Sequence, residues 1–163
     1  QKLGQIINRL KSGEKIALIS DAGTPGISDP GFLIIREAVR NNIEIETLPG
    51  AVAFIPALVN SGLPCDKFVF EGFLPQKKGR QKRLKELVDE KRTIVFYESP
   101  HRIIKAIEQF VEFFGAERLV CVSREISKIY EENIRGSLSE VLEILRNKTI
   151  KGEFVIVLQG KNE

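Results

Sequence analysis

The sequence predicts an α/β protein of two α/β lobes with a cleft between them, and three observations carry that expectation. Short apolar runs alternate along the chain with segments whose apolar residues recur at helical spacing. Two of the runs break abruptly into loops rich in Gly, Pro and hydroxyl or acidic residues, at 21–31 and 49–52. The composition then changes after Leu63-Pro64-Cys65-Asp66, which divides the chain into lobes 1–66 and 67–163.

The elements follow in order. Leu3, Ile6, Ile7 and Leu10 mark a first helix, stopped by Ser12-Gly13. Residues 15–20 read as a strand, and Phe32, Ile35, Ala38 and Val39 as one face of a helix ending near Asn41-Asn42. Residues 43–48 alternate as a second strand, and 51–60 form a nearly all-apolar helix ended by Ser61-Gly62. This β-α-β-α order predicts parallel strands joined by right-handed crossovers. In the second lobe, Phe68-Val69-Phe70 opens a strand that ends at Phe73-Leu74-Pro75. A basic loop follows and runs into a helix with Leu84, Leu87 and Val88 inward. Residues 93–97 form the next strand, and Ser99-Pro100 reads as an N-cap with Pro at the first helical position. Ile103, Ile104, Ile107, Phe110, Val111 and Phe114 give that helix its apolar face before Gly115. A strand at 118–122, an amphipathic helix at 137–146 and a buried strand at 154–158 complete the reading.

The totals exclude several classes. Apolar residues at 42% and charged residues at 29% belong to a folded globular chain rather than a disordered one. No apolar run approaches the roughly 20 residues that span a bilayer, and no leader is read at the start, so the expected location is cytoplasmic with no membrane partner. One His and two distant cysteines, Cys65 and Cys121, make no usual zinc site or disulfide framework, so no metal is expected. A net charge of +3 is mild, but it is unevenly spread. Between 76 and 92 stand eight Lys or Arg against three acids. Such a run is either a solvated helix face or a track for a phosphate backbone, with the Phe73 ring available for stacking. His101, the single histidine, is either incidental or, with Arg102 at a helix start, a phosphate contact.

In an open α/β sheet, ligands bind outside the carboxyl ends of the strands, and glycines let backbone amides approach them. The loops at 21–31 and 49–52 are therefore the candidate ligand loops, faced by 97–102 and 123–125 of the second lobe. They contain no lysine-bearing phosphate motif, which suits an uncharged nucleoside better than a triphosphate.

Six motifs in order, SDAGTPGISDPG, LPGAVAFIPAL, FEGFLP, YESPHR, SREISKIYEE and KGEFVIVL, closely resemble the bacterial 16S ribosomal RNA (cytidine) 2′-O-methyltransferase I group of the tetrapyrrole methylase superfamily. The resemblance implies S-adenosylmethionine as cofactor, a homodimer, and the small ribosomal subunit and its 16S RNA as partner. It also implies an opening strand and glycine-rich loop with no counterpart here, so the N-terminal lobe is expected to lack its first strand. By the same resemblance, Asp21, Gly23, Thr24, Pro25, Ile27, Ala51, Val52, Tyr97, Gly152 and Glu153 lie against the cofactor. It favours RNA for the basic residues, making Lys77, Lys78, Arg80, Lys82, Arg83, His101, Arg102 and Arg124 the expected RNA contacts. Methyl transfer to a ribose hydroxyl requires alignment and a proton acceptor, for which Glu98, Asp29 and Glu125 are the candidates; a cap or ion pair is the competing role for each. The alternatives are a small-molecule methyltransferase of tetrapyrrole type and a non-catalytic RNA- or nucleotide-binding module.

Overall fold

A computed structural model describes residues 2–28 and 30–161. It is α/β, and the contacts within it define two compact units, residues 1–52 and 53–163. The sequence reading set the boundary at 66/67. The difference lies in helix α3 (Phe54–Ser61), whose Ala57 and Leu58 are buried with Val95, Cys121, Val155 and Val157 of the second unit's sheet.

The first unit holds α1 (Lys2–Lys11) and α2 (Phe32–Arg40), which pack on each other and bury Ile7 and Ala38. Both helices agree with the apolar spacing. The two strands expected at 15–20 and 43–48 are not found: these residues belong to no ladder among the described residues. A strand needs a partner for its amides and carbonyls as well as an apolar pattern, and only the pattern is present here.

The second unit is a five-stranded sheet in the order β1 (Phe68–Phe73), β2 (Thr93–Glu98), β5 (Phe154–Leu158), β3 (Leu119–Arg124), β4 (Glu132–Ser137). Only β1 and β2 pair in parallel; the pairs involving β5 and β4 are antiparallel. The parallel pairing expected of the first unit's strands has no counterpart, since every ladder among the described residues lies in the second unit. β2, α5 (Ile103–Phe114) and β3 form a crossover unit, and β5 fills the gap it leaves between β2 and β3.

One sheet face carries Ile94, Phe96, Val120, Val122 and Ile156 under α4 (Arg80–Leu87), α5 and α6 (Leu138–Arg146). The Phe110 ring lies 4.8 Å from Phe96 and 5.4 Å from Phe114 in this core. The opposite face carries Val95, Tyr97, Cys121, Val155 and Val157 toward α3. That helix is tied to β4 by Arg135, which donates to the Asn60 carbonyl at 2.8 Å, a cation at a helix C-terminus.

The local signals hold where they are strongest. Ser137 and Glu140 form a reciprocal capping box, and Gly62 ends α3 at φ +73°. Helix α5 departs from its signature: the Ser99 carbonyl accepts from Arg102 and Ile103 in a turn, and the cap falls at Arg102.

Candidate functional site

In the first unit the two candidate loops are stitched together. The Thr24 amide donates to the Ala51 carbonyl at 2.9 Å, and the Thr24 hydroxyl reaches the same oxygen at 3.2 Å. Gly23, at φ +74°, lies so close that a Cβ would stand 2.6 Å from that oxygen. A Cβ on Gly50 would stand 2.9 Å from Thr24 Oγ1. Glycine is required at 23 both by conformation and by this approach. Around the seam, Asp21, Ile27 and Ala51 are exposed, while Thr24, Pro25 and Val52 are half-buried. The surface is mainly apolar, with backbone polar groups and no lysine in either loop, which fits an adenosine-bearing cofactor of the kind the sequence implies. Asp29 lies outside the described residues.

In the second unit, two turns meet at the ends of β3 and β5. The Glu125 amide donates to the Glu153 carbonyl at 3.0 Å, and the Glu153 amide donates to Glu125 Oε1 at 2.9 Å. Lys128 Nζ reaches the same carboxylate at 3.0 Å, and Arg124 Nε donates to the Lys151 carbonyl at 2.6 Å. Gly152, at φ +93°, has the Glu125 carboxyl where a Cβ would be, 2.6 Å away. The Glu153 amide, and then the Lys128 ammonium, hold the Glu125 carboxyl below its ordinary range. A carboxylate so engaged organises the turn, so the geometry favours the structural role over the proton acceptor. Arg124 is likewise occupied within the turn.

Glu98 is engaged in the same way. Strand alternation puts it on the Ile94 and Phe96 face, opposite Tyr97, where it is only 4% exposed. Its Oε1 accepts from the Ser99 amide at 2.8 Å and from Arg102 Nε at 2.9 Å. Its Oε2 lies 3.5 Å from Arg80 Nη2. Arg80 also donates to Gln109 Oε1 at 2.7 Å and is itself buried. The carboxylate therefore joins β2 to the starts of α4 and α5.

The basic run consequently splits. Lys77, Lys78, Lys82 and Lys85 are exposed, whereas Arg80 faces inward and is withdrawn from the expected RNA surface. The spacing Arg80, Leu84, Leu87 is one helical face, a signal that the sequence did contain. Arg83 is pinned between Glu71, to which Nε donates at 2.8 Å, and Glu86. His101 is exposed in the turn before α5, and Arg102 is half-buried on Glu98.

Sequence reasoning missed the irregularity in β1. The register with β2 shifts between Phe70 and Gly72, so Phe70 opposes Val95 and Phe73 opposes Tyr97. The Tyr97 ring lies 5.2 Å from Phe70 and 5.5 Å from Phe73. A shallow depression lined by Asp66, Lys67, Arg92 and Gly160 lies where β2 begins, and none of the candidate residues lines it. Among the described residues no group of three or more His, Cys, Asp or Glu is placed to hold a metal, and no helix is long and apolar enough to cross a membrane. Cys65 and Cys121 are free thiols.

A mixed sheet with helices on both faces, preceded along the chain by stitched glycine-bearing loops, defines an α/β protein with a candidate ligand-binding seam. The model of the Tetrapyrrole (Corrin/Porphyrin) Methylases matches residues 2–142, and the chain belongs to that family. It is 45% identical over 157 residues to "Ribosomal RNA small subunit methyltransferase I" of Synechocystis sp., covering 96% of this chain and 56% of the relative. The protein of the same name in Thermotoga maritima is 42% identical over 161 residues, 99% of this chain and 72% of the relative. Most of the curated relatives are thus matched over little more than half their length. Among solved structures, uroporphyrin-III C-methyltransferase from Thermus thermophilus, complexed with S-adenyl homocysteine, aligns at a TM-score of 0.63. At 15% identity, covering 96% of this chain and 71% of the other, that likeness is one of fold.

Proposed function

We propose that this chain is part of an S-adenosylmethionine-dependent enzyme that methylates a cytidine ribose 2′-hydroxyl in small-subunit ribosomal RNA, acting in the cytoplasm as a homodimer. The observation that carries the reading is the 42% identity to the Thermotoga maritima protein, sustained over both units. The loop seam supports it: Gly23, Thr24 and Ala51 make one closely apposed surface.

When bound, S-adenosylmethionine supplies an electrophilic methyl group on a positively charged sulfur. The chain's own residues bind and orient. Gly23 and Ala51 offer backbone at close range, while Pro25, Ile27 and Val52 offer apolar contact to a nucleoside. Gly152 and Glu153 are held in register by the Glu125 carboxylate, and Tyr97 packs against the edge of the Phe70 ring. Glu98 and Glu125 serve these positions as structural carboxylates, and Asp29 is retained as the proton acceptor on sequence grounds alone. Lys77, Lys78, Lys82 and His101 are the exposed cationic or polar groups assigned to RNA phosphate.

The test is transfer of labelled methyl from S-adenosylmethionine to unmodified small subunits by the full-length protein, beside Gly23→Val. The wild type is expected to label one cytidine as a 2′-O-methyl group. The variant is expected to lose S-adenosylhomocysteine affinity by at least about tenfold, since a left-handed branched residue would have to displace the Ala51 carbonyl. Cofactor binding with no label in RNA would move the assignment to small-molecule acceptors. No cofactor binding would end it.

A further inference from the structure

The irregularity in β1 changes what the strand presents. Strict alternation from Phe68 and Phe70 would put Phe73 on the Phe96 face, among α4 and α5. Instead one extra residue is accommodated at Glu71-Gly72, with Gly72 at φ +61°, and Phe73 emerges opposite Tyr97 on the other face. Bulges of this kind re-aim a side chain. The displaced Glu71 is used, because Arg83 binds it. The re-aimed ring is not buried by the change: Phe73 is 52% exposed, and the Tyr97 ring supports it at 54° and 5.5 Å.

A half-exposed phenyl ring re-aimed by a bulge offers a stacking face, and the residues after it carry cations. Pro75, Gln76, Lys77, Lys78 and Gly79 are all exposed, Leu74 is buried, and the next exposed helical residues are Gln81, Lys82 and Lys85. A nucleobase stacks on a π-face while cations meet its phosphates; Phe73 offers the face, and the exposed Lys77 and Lys78 follow four and five residues on.

We propose that Phe73 is a stacking platform for one unpaired base of the RNA substrate, with Lys77 and Lys78 on the flanking phosphates; this deepens the methyltransferase reading above and rests on it. The platform reads single-stranded character rather than sequence, because every base has a stacking face. It acts on substrate binding and leaves the cofactor untouched.

The experiment compares Phe73→Leu and Phe73→Trp in the full-length protein. Four quantities are measured: affinity for unmodified small-subunit RNA, affinity for S-adenosylhomocysteine, thermal midpoint, and mass in solution. Phe73→Leu is expected to weaken RNA binding about tenfold, and Phe73→Trp to stay within about twofold of wild type. S-adenosylhomocysteine affinity and mass are expected to be unchanged in both. RNA affinity untouched in Phe73→Leu would overturn the proposal. A matching loss of S-adenosylhomocysteine affinity would give the ring to the cofactor, and a change of mass would give it to a second copy; either overturns it too. Phe73-dependent RNA binding by a wild type that transfers no methyl group would sink the enzymatic reading and leave the platform standing.

Discussion

The two units carry similar apolar patterning and bury it very differently. In residues 53–161, Phe96, Phe110, Ile94, Ile107, Leu138 and Ile156 are all within 1% of complete burial. In the described residues of 1–52, only Ile7 and Ala38 among the apolar side chains are buried, while Ile19 and Leu48 are 84% and 73% exposed. The runs around Ile19 and Leu48 look as strand-like in sequence as β2 does. What separates them is the ladder: β2 is paired on both sides, and the first unit's runs on neither. Apolar alternation proposes a strand, and a hydrogen-bonded neighbour makes one.

The widest gap between the units is expected in core truncation. Phe110→Ala should cost about 3–5 kcal/mol in urea unfolding of residues 1–163, from lost burial and the cavity left behind. Leu48→Ala should fall within about 0.5 kcal/mol, because its side chain already meets solvent. Equal costs would break the comparison.

A contrast of intermediate size lies inside the basic run. Arg80→Ala removes one partner from the buried Glu98 carboxylate and should cost about 3 kcal/mol. Lys82→Ala, two residues on and exposed on the opposite face, should leave stability within about 0.5 kcal/mol. In RNA binding it should lower the salt slope by about 1. A Lys82 effect on stability as large as that of Arg80 would show that the run is not divided as described.

The smallest effect is a pH dependence. Glu125 has its folded pKa depressed from an ordinary 4.5, first by the Glu153 amide and then by Lys128. Its contribution is therefore full above about pH 4.5 and fades as pH falls through the lower folded value. Against wild type, Glu125→Gln should unfold earlier by a constant margin from pH 7 to 5, and the two curves should converge below 4.5. Glu14, held down by exposed Arg9 in the first unit, provides the comparison: Glu14→Gln should run with wild type at every pH.

Much of this was legible in residue types. The Ser137–Glu140 box, Gly62 at the end of α3 and the 80/84/87 stripe are local patterns with one geometric meaning each. β4 was not legible, because Glu-Asn-Ile-Arg-Gly-Ser holds one apolar residue and owes its conformation to pairing with β3 at the sheet edge. The candidate site divides along the same line. The two loops follow from glycine and proline chemistry, while the seam between them joins residues 27 apart. The fates of Glu98 and Arg80 depend on which face of β2 meets which turn of α4, a relation between segments that no single stretch records. The bulge at Glu71-Gly72 was hidden for the same reason, since it exists only as a register against β2.

The central position of β5 sets an order of events during synthesis. β2 and β3 each hydrogen-bond to it, so the strand that joins the two sides of the sheet is made after everything it joins. A growing chain presents β1–β2 and β3–β4 as two separate strand pairs, each with an open inner edge, until Leu158 has been added. Open edges of this kind attract other strands. The second unit is therefore open to mispairing until β5 has inserted between β2 and β3.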